Sequence, residues 1–146
     1  MLFRSVQKHW SFDKSLPSDL ELGRAAIEEL MVALCAAGWE GMDLFRIQMA
    51  LEEAVVNAIE HGNKRDLNKR VRLFFEVTPQ KVVMHIADEG AGFDHQNVAD
   101  PTTEELIDKP RGRGVLLMRE LMDEIVFNDL GNEVTMTKFR SVEVPE

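Results

Sequence analysis

Apolar residues recur along this chain at two different periods, and the places where the period changes divide it into elements. Val6, Trp10 and Phe12 alternate with polar neighbours and predict a half-buried strand from about Ser5 to Phe12, halted near Pro17. Ser18 followed by Glu21 has the capping-box pattern, and Leu22, Ala26, Leu30, Ala33 and Ala37 then repeat at helical spacing as far as Gly38. After a short connection, Asp43 is the expected N-cap of a second helix that runs to a stop at His61 and Gly62. Val71, Leu73, Phe75 and Val77 alternate, Thr78, Pro79 and Gln80 interrupt, and Lys81 to Ala87 complete an antiparallel hairpin. From Glu89 to Arg113 the periodicity disappears, leaving a loop longer than compact domains keep without a functional reason. Val115, Met118, Leu121 and Met122 restore the helical period. Two alternating runs, Ile125 to Leu130 and Glu133 to Val142, then flank a Gly131-Asn132 turn.

The order is therefore β, α, α, β, β, loop, α, β, β. Strands adjacent in sequence argue against a doubly wound parallel sheet. They predict an α+β fold, a two-layer sandwich with helices on one face of a mixed, mostly antiparallel sheet. A length of 146 residues fits a single domain over 1–146. The net charge of -9 opposes attraction to a phosphate backbone and argues against direct nucleic-acid binding. Local positive potential exists nonetheless, because five of the 17 basic residues fall between Lys64 and Arg72, and Arg111, Arg113 and Arg119 form a second group. The one cysteine, Cys35, excludes an intrachain disulfide and a cysteine zinc cage, and its neighbours Leu34, Ala36 and Ala37 predict a core position. No apolar run reaches the ~20 residues that cross a bilayer, and the start of the chain lacks a signal-like apolar segment, so the expected location is cytoplasmic, off the membrane.

Candidate chemistry is concentrated in four stretches. In Leu51 to Asn63, Glu53 and Asn57 are one helical turn apart and share a face, whereas Glu52 points aside and Leu51, Val55 and Ala58 line the opposite face. In Asp88 to Asp94 a carboxylate at a strand end precedes Gly90 and Gly92, where the main chain can bend and a flat ligand can approach; such a carboxylate can accept a hydrogen bond from an exocyclic amine. Pro110 to Met118 sets Arg111, Gly112, Arg113 and Gly114 just before a helix, whose unpaired amides suit a phosphate. No GK[ST] follows, so this is not a Walker loop. The fourth stretch, Gly131 to Lys138, reads alone as a hairpin turn and an ordinary strand.

In this order the four stretches resemble the N, G1, G2 and G3 boxes of the GHKL superfamily, the nucleotide-binding domains of gyrase, Hsp90, histidine kinases and MutL. The resemblance covers about Leu51 to Lys138, and EEAVVNAIEHGN, RGRGVLLMRELMD and TMTK look like its anti-sigma factor serine/threonine kinase branch. It implies a Bergerat-type α/β sandwich that binds ATP with Mg2+. It further implies a sigma factor and a STAS-domain anti-anti-sigma protein as partners, phosphorylation of a serine or threonine on the latter, and a homodimer. Carried over by residue, it makes Asn57 the magnesium ligand, Glu53 the catalytic carboxylate, and Asp88 the adenine-reading aspartate with Gly90 and Gly92 beside the ring. Arg111, Gly112, Arg113 and Gly114 fall in the phosphate-facing lid, and Thr135 falls near the adenine edge. RGRG is shorter than the GxGxG of some superfamily members, which leaves the number of backbone phosphate contacts open. Two other readings stand beside this one: a nucleotide-sensing module that captures a partner without phosphotransfer, and a structural domain whose glycines are only turns.

Overall fold

A computed structural model describes residues 9–94 and 110–141. Strand β1 (Trp10–Pro17) pairs antiparallel with β2 (Arg70–Val77) along its whole length, from Trp10 opposite Val77 to Pro17 opposite Arg70. It thus continues past the expected end at Phe12, and its proline sits at the last position of an edge strand, where a missing amide costs nothing. The earlier part of the predicted strand, residues 5–8, lies outside the described residues.

Helix α1 (Leu20–Ala36) is capped by Asp19 rather than Ser18. Asp19 is extended, and its carboxylate accepts the Glu21 and Leu22 amides at 2.8 and 3.4 Å. The Ser18 hydroxyl is engaged elsewhere, donating to the Lys69 carbonyl at 2.8 Å. The buried stripe of α1 is Gly23, Ala26, Ile27, Leu30, Ala33 and Leu34, so Leu22 and Cys35, both expected inside, are exposed. One helical turn offers one buried face, and Ile27 and Leu34 occupy it.

Helix α2 (Met42–Val56) continues without a break into a π-helical segment (Asn57–Gly62), so the helix does end at Gly62 as expected. Its N-cap is Gly41, not Asp43. Asp43 is buried in the first turn, where it accepts the Ser141 amide at 2.8 Å and the Ser141 hydroxyl at 2.5 Å and lies 3.5 Å from the Lys138 ammonium. Burial works to raise its carboxyl pKa, but the two Ser141 bonds and the Lys138 charge outweigh that and hold it below the usual carboxylate value.

Strand β3 (Lys81–Ala87) forms the expected hairpin with β2, and Thr78 closes the turn by accepting the Gln80 and Lys81 amides on its hydroxyl. Helix α3 (Pro110–Leu121) starts earlier than Val115 and absorbs the glycine-arginine run into its first turns. Strand β4 (Glu124–Phe127) is shorter than expected, and β5 (Glu133–Phe139) follows the turn. The sheet order is β1-β2-β3-β5-β4, with every pairing antiparallel. Alternation sends Phe12, Val71, Leu73, Phe75, Val77, Val82, Met84, Ile86, Val134 and Met136 to one face, where they pack with Leu30, Leu34, Ile47, Leu51, Val55 and Met118 of the three helices. This is the two-layer α+β sandwich that the pattern predicts, of the Bergerat type. Because β5 lies between β3 and β4, the end of β3 at Asp88 meets the β4–β5 turn, more than forty residues away in sequence. The Asp88 amide donates to the Asn132 carbonyl at 2.9 Å.

Candidate active site

Two hollows open side by side between α2, α3 and the end of the sheet, and both are lined by Asn57. The first is narrow and mostly apolar: Ala54, Ala58, Ile86, Met118, Phe127 and Val134 form its walls, with Asn57, Asp88, Asn132 and Glu133 as its polar residues. Phe93 meets Phe127 edge-on there, ring centroids 5.5 Å apart. The second is wider and more polar: Glu53, Asn57, His61, Arg113 and Gly114 line it, with Val56 and Leu117. An apolar slot containing Asp88, beside a wider charged cleft, is an arrangement suited to a nucleoside base followed by its phosphates.

Asn57 holds the junction because it is the first residue of the π segment. From Glu53 to Asn57 the helix is still α-wound, so the two stack one turn apart, and Asn57 is only 7% exposed. Beyond Asn57 the wider π turn takes over, with the Asn63 amide bonding five residues back to the Ala58 carbonyl at 2.8 Å. That turn brings His61, which the sequence marks only as part of the helix stop, into the same cleft.

Asp88 is buried and held from three sides. Its Oδ1 accepts the Gly90 amide at 2.8 Å, its own amide is tied to Asn132, and its carboxylate lies flat against Gly62. A Cβ on Gly62 would be 2.4 Å from Asp88 Cγ. Gly90 and Gly92 prove necessary for a different reason from ligand approach. A Cβ on Gly90 would sit 2.2 Å from the Gly62 carbonyl oxygen, and one on Gly92 would sit 1.9 Å from that of Leu130, so these glycines let main chain meet main chain. The turn opposite is organised by Asn128, whose Oδ1 accepts the amides of Gly131, Asn132 and Glu133 at 2.9, 3.0 and 3.0 Å.

Gly114 brings the start of α3 against α2, since a Cβ there would meet Glu53 Oε2 at 2.8 Å and Asn57 Nδ2 at 3.0 Å. Arg113 is exposed at the cleft; the Arg111 side chain and the surroundings of Gly112 lie outside what the structure describes. Thr135 does not join this group. It alternates with Val134 and Met136, so it points to the other face of the sheet, where its hydroxyl is 2.8 Å from His85 Nδ1. The basic run after Asn63 is also largely committed elsewhere: Arg65 pairs with Glu60 at 3.0 Å, Arg72 with Asp13 at 3.0 Å, and Arg70 donates to Ser15. The structure thus gathers Glu53, Asn57, Asp88, Gly90, Arg113 and Gly114, and adds Gly62, His61, Phe93, Asn128 and Asn132.

Residues 16–138 match the family described as the histidine kinase-like ATPase domain, most of the chain. The chain belongs to that family. Among curated relatives, it is 36% identical over 100 residues to serine-protein kinase RsbW of Bacillus subtilis (64% of this chain, 62% of the relative). It is 32% identical over 105 residues to serine-protein kinase RsbW of Staphylococcus aureus (66% of each chain). The matched region thus spans slightly less than two thirds of these relatives. A crystal structure of RsbU and RsbW domains from Mycobacterium tuberculosis shares the fold, with a TM-score of 0.57 at 19% identity over 89% of this chain and 32% of that one. No helix among the described residues is long and apolar enough to cross a membrane.

The donor set also suits the cofactors of such a domain. Among the described residues no cluster of three histidine, cysteine or acidic side chains could cage a metal. Asn57 lines the polar cleft together with the Glu53 carboxylate one turn away. A cation held by one or two protein oxygens, its remaining positions filled by phosphates and water, is the habit of magnesium rather than of zinc or calcium.

Proposed function

We propose that this protein is an ATP-dependent serine/threonine protein kinase of the anti-sigma factor type. In this reading it binds a sigma factor and phosphorylates a STAS-domain anti-anti-sigma protein, switching between the two. The observation that carries it is the shared position of Asn57, between an apolar slot containing Asp88 and a polar cleft containing Glu53. The resemblance to serine-protein kinases over most of the chain supports the same reading.

Asp88 accepts a hydrogen bond from the exocyclic amine of adenine, with Gly90 and Gly92 shaping the loop. The Asn57 side-chain oxygen would hold magnesium, which supplies charge neutralisation along the phosphates when bound. Arg111, Gly112, Arg113 and Gly114 form the phosphate-facing start of α3, where unpaired amides and guanidinium groups complement the γ-phosphoryl oxygens. Glu53 takes the proton from the attacking serine or threonine hydroxyl. The hydroxyl oxygen bonds to the γ-phosphorus, the bond from that phosphorus to the β–γ bridging oxygen breaks, and ADP leaves. Thr135 has no part in this scheme.

Purified protein mixed with labelled ATP, magnesium and a STAS-domain substrate should yield phosphoprotein. Glu53→Gln should abolish transfer while leaving ATP binding within about twofold, whereas Asn57→Ala should weaken binding itself by on the order of tenfold or more. If Glu53→Gln transfers phosphate normally, the assignment fails. If ATP binds and no partner is ever phosphorylated, the protein is a nucleotide-sensing capture module instead.

A further inference from the structure

Asn63 is fully buried, and no step in the scheme above uses it. Its Oδ1 accepts the Glu89 amide at 2.8 Å, and its Nδ2 donates to the Arg70 carbonyl at 3.0 Å and to the Ser18 hydroxyl at 2.8 Å. Glu89 in turn accepts the Arg70 amide on Oε1 at 2.6 Å. Asn63, Glu89 and Arg70 therefore close a ring of three hydrogen bonds. The ring ties the end of the π segment to the exit of β3 and the entry of β2. Each flank of Asp88 runs into it: Glu89 is the next residue, and Gly62, whose backbone presses on the Asp88 carboxylate, directly precedes Asn63.

We infer that Asn63 is a positioning residue for base recognition: its hydrogen bond to the Glu89 amide sets the place of the Asp88 carboxylate and so the preference for adenine over guanine. Guanine presents a carbonyl where adenine presents an amine, so a fixed carboxylate rewards one and repels the other. A side chain that merely filled space would leave this ratio alone, because loosening the fold weakens every nucleotide equally. The inference rests on the reading of Asp88 as the base-recognising group.

The test is equilibrium binding of ATP and GTP, each with magnesium, by calorimetry, alongside urea unfolding. Wild type should prefer ATP; if it binds neither or does not discriminate, the reading of Asp88 fails, independently of Asn63. Given that preference, Asn63→Ala should reduce ATP affinity about tenfold and leave weak GTP binding nearly unchanged, a loss typical of one hydrogen bond to a charged group. Asn63→Asp keeps an acceptor for the Glu89 amide and should restore most of the ratio despite lower stability. Ser18→Ala removes a different partner of Asn63 and should cost stability with the ratio intact. Should Asn63→Ala not fold, Asn63→Leu keeps the side-chain volume without the acceptor for the Glu89 amide and should narrow the ratio severalfold. An unchanged ratio in the foldable ring variant, or an equal loss in Ser18→Ala, overturns the inference.

Discussion

Gly62→Ala is the smallest change that should disable the proposed base recognition. Nothing in the backbone of Gly62 demands glycine, since its φ is not in the left-handed region; the constraint is the neighbour. The added Cβ would be 2.4 Å from Asp88 Cγ and 2.5 Å from each carboxylate oxygen, whereas ordinary contact begins at 3.4 Å. The carboxylate must therefore retreat by about 1 Å, and it cannot do so freely, because its Oδ1 is bonded to the Gly90 amide and its own amide to Asn132. Overpacking of this kind costs about 1–3 kcal/mol of stability. The larger consequence is functional, since a carboxylate displaced by that much no longer reaches the base amine. Losing one charge-assisted hydrogen bond weakens ATP by roughly tenfold or more. In thermal unfolding with ATP and magnesium at a hundred times the wild-type Kd, ligand stabilisation should fall from about 2.7 to about 1.4 kcal/mol. A folded Gly62→Ala protein that keeps the full ligand-induced stabilisation would refute the assignment of Asp88 as the base-recognising group.

Three further outcomes are expected. Gly114→Ala places a methyl group 2.8 Å from Glu53 Oε2, the movable end of a side chain, so the urea midpoint should change little while phosphotransfer falls at least tenfold with ATP affinity less affected. Asp43 has a folded-state pKa below its unfolded value, so its contribution to stability is complete above the ordinary carboxylate pKa and is lost as pH falls through the depressed one. Asp43→Ala should therefore destabilise the protein at neutral pH by about 3 kcal/mol, with the difference from wild type shrinking in acid, as read by urea unfolding across pH. Thr135→Ala, on the far side of the sheet from the slot, should bind ATP as wild type does in the same calorimetric titration.

The periods of the sequence were enough for the architecture. Alternation in Val71 to Val77 and helical recurrence from Leu51 to Ala58 each leave one face apolar, and a sheet face and several helix faces have one common solution, a two-layer sandwich. Element ends were less legible because single side chains decide them. Ser18 and Asp43 both look like caps, but a hydroxyl or carboxylate can serve a distant partner instead, and here Lys69 and Ser141 claim them. Cys35 and Leu22 lie on the exposed side of α1 for a similar reason, since apolar character alone does not say which residues of a mixed helix face inward.

For the candidate site, the sequence by itself placed Glu53 and Asn57 one helical turn apart on one face. It also marked Asp88 at a strand end and the glycines around it. Only the tertiary structure could decide what those glycines are for, since Gly90 answers to Gly62 and Gly92 to Leu130, contacts made across the chain rather than along it. The same holds for Thr135, whose face depends on strand register, and for Asn63, whose partners at Ser18, Arg70 and Glu89 come from three separate segments. The helix that holds Asn57 was readable from local spacing; the pocket around it exists because β5 inserts between β3 and β4 and carries the Asn128 to Asn132 turn to Asp88.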